Sequence, residues 1–260
     1  MTIDELLQVL QLPEATRVQQ RVPKKLLIEH GAATPQDKRL IQDGVDEITW
    51  LASLKPHLTG VPAYEDEHRH YREAAVLSLT LRPGTRPARL VELLHRAVPH
   101  PVLLASTVDQ TLSLSVAHLR KSQTEADQTV LDGPLLSVAM PADGGDATFR
   151  AALSLAGQPR ADLYVLVQGW MDTLAALDVA QETGTFRPSA NREQAAARHT
   201  ALQQLRLLRA QAAELRARAA KERQLARQVA LNEELRAVQA QAEQLRQRLD
   251  GGEAGMVVPA

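Results

Sequence analysis

The chain has 260 residues, a formal net charge of −1 and 44% hydrophobic residues, so it holds one or two domains and lacks the strong basicity of dedicated nucleic-acid binders. It contains no Cys, which excludes disulfides, thiolate metal sites and a cysteine nucleophile. No apolar run reaches the ~18 residues of a membrane span, and MTIDELLQVLQLP lacks the basic start and apolar centre of a signal peptide, so a soluble cytoplasmic protein with no membrane contact is expected.

Thr2 to Leu10 reads as a short amphipathic helix. Thr2 caps it, Asp4 and Glu5 favour its first turn, and Leu6, Leu7 and Leu10 share a face. Pro13 ends it. Residues 12–30 set polar and basic residues around two prolines before an apolar patch. Arg17, Arg21, Lys24 and Lys25 are candidates for meeting phosphate or an acidic partner; in a solvated connector the same side chains cover the core edge. Thr34–Pro35 looks like an N-cap with Pro at the first helical position. Ile41, Val45, Ile48 and Leu51 at helical spacing extend that helix to about Leu54, with Trp50 near its end as a core residue or an interface anchor. Residues 57–73 are polar. His68 and His70 beside Glu65, Asp66 and Glu67 are ligand types for a divalent ion, but no third ligand stands at a diagnostic spacing, so an exposed loop is expected.

An α/β body follows. Ala74–Leu81 is a strand by its run of apolar and β-forming residues, and Thr85–Ala97 is a helix that tolerates Pro87 in its first turn. Strands are predicted at Val102–Ser106, Thr111–His118 and around Thr129–Val138, the last as one strand or a pair, with the polar segment Lys121–Asp127 before it. This order gives a mixed layer and not a repeated βαβ unit. Thr148 to about Val179 reads as two helices broken near Gly157–Pro159, with Leu163, Val167, Trp170, Met171 and Leu174 on one side.

From Asn191 to Asp250 there is no Gly and no Pro, and nearly every residue is a strong helix former. Residues 191–250 hold 12 Lys+Arg against 7 Asp+Glu, a mildly basic segment on a mildly acidic remainder. Leu205, Ala212 and Ala219, with Leu208 and Leu215, form a near-heptad seam; Leu231, Val238 and Leu245, with Leu235, Ala242 and Leu249, form another. Unbroken, the helix would run ~90 Å and would advertise a partner. The phase slips between Lys221 and Asn232, which reads equally as a stutter and as a bend or hairpin tip that docks on a partner. Lys221, Glu222, Gln224, Arg227 and Asn232 are therefore candidate contact residues.

Chemistry is harder to find. The phosphate-loop and GxGxxG patterns, the G-x-S-x-G elbow, H-E-x-x-H and deaminase spacings are all absent. Asp109 and Asp132 sit at turns without the strand-borne partners of a metal-dependent nuclease, and His95 and His118 are single histidines.

Four stretches resemble one family. They are LPEATRVQQRVPKK at 12–25, VDEITWLASL at 45–54, AVPHPVLL at 97–104 and KERQLARQVALN at 221–232. In this order they are similar to the bacterial family known as domain of unknown function 4391. His100 stands where that family more often has an aromatic residue, and Ala226 where it often has a polar one. The resemblance implies a neighbourhood of helicases and DNA methyltransferases in restriction and phage-defence loci, and it transfers no catalytic residue.

The expected architecture is α/β (α+β): a small mixed sheet with flanking helices, then a long C-terminal coiled-coil helix or helical hairpin. The expected organisation is a helical segment at 1–56, an α/β body at 57–183, a hinge at 184–190, a coiled coil at 191–250 and a flexible tail at 251–260. The expected role is a non-catalytic accessory subunit of a bacterial restriction or phage-defence complex, docking on a helicase or DNA methyltransferase through its α/β body and coiled coil, with no cofactor or metal. Self-association through the coil and a DNA contact are further expectations, and a nuclease-like or nucleic-acid-binding subunit is the alternative.

Overall fold

The computed structural model describes residues 1–122 and 129–251. The predicted tail beyond Gly251, and most of the polar segment before the last strand, lie outside the described residues. The chain divides into two compact units, Met1–Leu174 and Ala175–Ala260.

In chain order the first unit contains α1 (Ile3–Leu10), β1 (Arg17–Arg21), α2 (Lys24–Gly31), α3 (Pro35–Gly44), β2 (Val45–Leu54) and α4 (Pro56–Thr59). The short pair β3 (Tyr64–Glu65) and β4 (His70–Tyr71) leads into β5 (Ala74–Leu81), α5 (Pro87–Ala97), β6 (Val102–Val108), β7 (Thr111–Lys121) and β8 (Thr129–Ala139). Then come α6 (Ala147–Leu153) and α7 (Leu163–Thr183), within which the unit boundary falls. The main sheet has the order β1-β2-β5-β6-β7-β8. All neighbours are antiparallel except β5 and β6, which are parallel and joined through α5. This is the expected mixed α/β layer, with two further strands at its leading edge.

Local chemistry sets the helix ends. Thr2 Oγ1 accepts the Glu5 N–H at 3.2 Å while Glu5 Oε2 accepts the Thr2 N–H at 2.7 Å, a reciprocal capping box. Thr34 Oγ1 accepts the Asp37 N–H at 3.1 Å ahead of Pro35. Asp37 then receives a two-pronged contact from Arg89 of α5, at 2.9 and 3.0 Å, which holds its carboxyl below the usual carboxylate range. One face of the sheet closes with Leu27, Ile41, Val45, Ile48, Leu77, Leu79, Leu90, Leu94 and Leu104 as a buried cluster. Each such side chain contributes roughly 1.5–3 kcal/mol when fully buried.

The predicted helix through Leu54 is a correction. It stops at Gly44, and Val45–Leu54 is a ten-residue strand. A Cβ at Gly44 would meet Thr85 Cγ2 at 2.8 Å and Leu90 Cδ1 at 2.9 Å, so the chain turns where only glycine fits. Register shifts between Val45 and Glu47 and between Trp50 and Ala52 rotate the strand's faces. Val45, Ile48, Leu51, Ala52 and Leu54 are consequently buried, a spacing that imitates a helix. Two short elements were also hidden: the stretch 17–21, expected as a connector, is the exposed edge strand β1, and residues 24–31 form α2.

The second unit takes the end of α7, α8 (Arg192–Lys221) and α9 (Leu225–Asp250). The helix is not one rod. It folds at Glu222–Gln224 into an antiparallel hairpin, so the two predicted seams close on each other. Val179, Leu202, Leu205, Ala242 and Leu249 form a three-helix base; Ala212, Leu215 and Val238 form the two-helix shaft, flanked by Leu208, Leu231 and Leu235. The apolar stripe that the sequence offers to a partner is covered by the chain's own second helix.

Candidate functional site

Trp50 sits on β2, half-buried, with its indole N–H donating to Ser53 Oγ at 2.9 Å. That bond satisfies the polar edge and leaves the ring as an apolar wall. The wall belongs to an open groove of about 230 Å³ lined by Val22, Leu26, Ile48, Trp50, Leu94 and Pro99, with Leu77 beneath and His30 at its margin. Leu26, on the first turn of α2, is 43% exposed. Three separate resemblance stretches supply this lining: Val22 from the first, Ile48 and Trp50 from the second, Ala97, Val98 and Pro99 from the third. Sequence alone could not bring them together, because β1, β2 and the end of α5 become neighbours only in the folded sheet.

The predicted basic residues divide around this groove. Lys24 is half-buried and donates from Nζ to the Val45 carbonyl, tying α2 to β2. Lys25 lies 3.5 Å from Glu29, and Arg21 lies 3.9 Å from Glu47. Both pairs are exposed and contribute little. Arg17 is exposed on β1.

A cluster that sequence reading missed lies elsewhere in the same unit. All three tyrosines of the chain meet there, and only their rarity could have flagged them. Tyr164 stacks on Tyr64 at 4.9 Å and on His118 at 4.3 Å between ring centroids, and the Arg69 guanidinium lies 5.3 Å from the Tyr164 centroid. Gln168 Nε2 donates to Asp172 at 2.8 Å, which directs Gln168 Oε1 at His118 Nε2, 3.1 Å away. The imidazole therefore carries its proton on Nε2, and the Tyr71 hydroxyl lies 3.0 Å from both its Nδ1 and the Leu119 carbonyl, to which it donates. Tyr71 in turn accepts the Leu119 N–H at 2.9 Å, and burial pushes its phenol upward. Both ring nitrogens of His118 are engaged within the cluster, at Gln168 and at Tyr71.

The other titratable candidates are equally occupied. Asp132 accepts from Arg69 Nε at 2.8 Å, and Asp109 accepts the Gly84 N–H at 3.2 Å across a turn. His95 Nε2 lies 2.9 Å from Ser115 Oγ in the core, and burial pushes the imidazole down to about 4. His100 Nε2 lies 3.1 Å from Glu73 Oε1; burial lowers its titration despite that carboxylate. Among the described residues no three His, Asp or Glu side chains converge as metal ligands. A wider cleft of about 840 Å³ beside α1 and α6 is lined by Glu5, Asp143 and Arg150, each tied into local turns.

At the hairpin tip, Glu222 Oε1 accepts the N–H groups of Arg223 at 2.8 Å and Gln224 at 2.9 Å, bonds that hold its carboxyl below the ordinary range. Glu222 thus builds the turn. Lys221, Gln224, Arg227 and Asn232 are exposed around it. Leu225 is 74% and Val229 49% exposed on the first turns of α9.

No curated protein and no solved structure matches the chain. The profile of a family described as "Domain of unknown function (DUF4391)" matches residues 10–241, and the match spans the groove, the tyrosine cluster and the hairpin tip. The chain belongs to that family.

Proposed function

We propose that this protein is a non-catalytic interaction subunit of a bacterial restriction or phage-defence complex, docking on a helicase or DNA methyltransferase through its α/β body. The convergence of three resemblance stretches on the Trp50 groove carries this reading. An open apolar groove on a folded unit is the usual form of a protein-docking site. At about 230 Å³ it accepts one large apolar side chain and is below the ~300 Å³ typical of small-molecule pockets. Arg21 and Lys25, next in sequence to the lining residues Val22 and Leu26, favour a partner segment that carries carboxylates beside its anchor.

The test is quantitative co-purification from the native host. The tagged wild-type chain recovers the helicase or methyltransferase encoded beside it in fixed ratio. Trp50→Ala and Leu26→Asp lower that recovery at least tenfold while Leu26→Asp leaves the melting temperature unchanged. Equal recovery with both variants, or no such partner on the wild-type chain, overturns the proposal.

A further inference from the structure

We infer that the hairpin tip is a second docking surface, fitted to an acidic helix of a protein partner that presents its own apolar residues. This rests on the interaction reading only in taking the partner to be a protein.

Charge within the hairpin unit is distributed unevenly. At the base, cations meet carboxylates: Arg206 grips Asp178 at 2.7 and 3.0 Å, Arg209 pairs with Glu182, and Arg246 pairs with Glu243 at 2.8 Å. Towards the tip the pairing stops. Between residues 216 and 232 there are five cations, Arg216, Arg218, Lys221, Arg223 and Arg227, and one carboxylate, Glu222. That carboxylate is committed to the turn's backbone. All five cations are exposed, and none makes a direct ion pair among the described residues.

The same end carries two of the unit's exposed large apolar side chains; a third, Leu207, stands alone on α8. The seam faces inward through Leu231, Leu235 and Val238. Leu225 and Val229, one helical turn apart, point away from it with Ala226 and Ala230 beside them. Leu and Val at i and i+4 are the anchor spacing of helix-on-helix docking. An exposed apolar pair on a hairpin end rich in exposed Arg and Lys suits a partner helix whose apolar face is bordered by Asp and Glu, and it opposes a second copy of the same cationic tip. Phosphate alone would satisfy the arginines and leave Leu225 and Val229 in water.

The test places the photo-crosslinker p-benzoylphenylalanine at Val229 of the full chain, expressed in its native host. In parallel it is placed at Leu26, so that failure of the groove and failure of the tip are read separately. The expected result is one protein adduct at position 229 whose sequenced peptide is rich in Asp and Glu. Lys221→Glu, Arg223→Glu and Arg227→Glu together lower the adduct at least tenfold, whereas Lys38→Glu does not. Exchanging the partner's acidic residues for Lys restores the adduct to the charge-reversed chain. No adduct, an adduct to nucleic acid, an adduct to a second copy, or an adduct indifferent to the charge reversal overturns the inference.

Discussion

The tyrosine–histidine cluster and the Trp50 groove each gather side chains distant in sequence, yet they differ in what remains unsatisfied. Around His118 the hydrogen bonds link Asp172, Gln168, the imidazole, Tyr71 and the Leu119 backbone, and Arg69 is held by Asp66 and Asp132. Around Trp50 the indole N–H is bonded to Ser53, His30 stands at the margin, and what remains is apolar surface open to solvent. A saturated network stabilises; an unsaturated surface recruits. Reactive residue types therefore mislead here, and the plainer of the two regions is the functional candidate.

The largest effect that separates them is His118→Leu. It removes the contacts to Gln168 and Tyr71 and a stacked ring, leaving Gln168 Oε1 without its partner while Tyr71 keeps its bonds to Leu119, and should cost about 2–4 kcal/mol in denaturant unfolding. Partner recovery per folded molecule should not change; if it falls while stability holds, the cluster is a site and the comparison reverses. His95→Gln sharpens the structural side through pH. In the folded chain His95 stays neutral down to about pH 4, whereas unfolded it binds a proton near 6.5. The unfolded state thus holds more protons in that window. Wild-type stability is intact above pH 6.5 and falls on acidification to pH 4 by on the order of 3 kcal/mol from this group. Urea midpoints of His95→Gln should show a flatter slope in that window, and parallel slopes would refute the assignment. Asp132→Asn should cost less, about 1–2 kcal/mol, because Asp66 still holds Arg69. Nuclease assays with Mg²⁺ should not distinguish this variant from the wild type. Leu26→Asp should shift stability least, by under about 0.5 kcal/mol, because its side chain already meets solvent. Its signature is in partner recovery alone.

Much of the body was legible because its strands and helices have clean periods. Ala74–Leu81 is buried almost throughout, and Pro87–Ala97 turns Leu90, Leu93 and Leu94 inward. The leading edge was illegible for two physical reasons. Every residue of Arg17–Arg21 is exposed, so that strand carries no apolar alternation to read. In Val45–Leu54 two bulges replace the period of two by a helix-like spacing across the Gly44 junction. Misreading β2 placed Trp50 at a helix end and hid the groove. The hairpin was visible only as a phase slip at Lys221–Asn232, since heptad sequence is indifferent to whether the covering helix belongs to another chain. The tyrosine cluster depends on contacts between residues 64, 71, 118 and 164, which no local pattern encodes.

The β6–β7 connection carries a consequence for engineering. Val108 pairs with Thr111, so Asp109 and Gln110 alone make the turn, and both have positive φ, 48° and 65°. This is the mirror-image two-residue hairpin in which Asn-Gly is preferred. Asp109 is suited to its place and also anchors Gly84, but Gln110 holds a left-handed backbone with a side chain that resists it. The turn at the centre of the sheet therefore retains a small, correctable strain. Its relief by Gln110→Gly gives a more robust sheet, on which variants of the Trp50 groove can be studied without unfolding the protein that carries them.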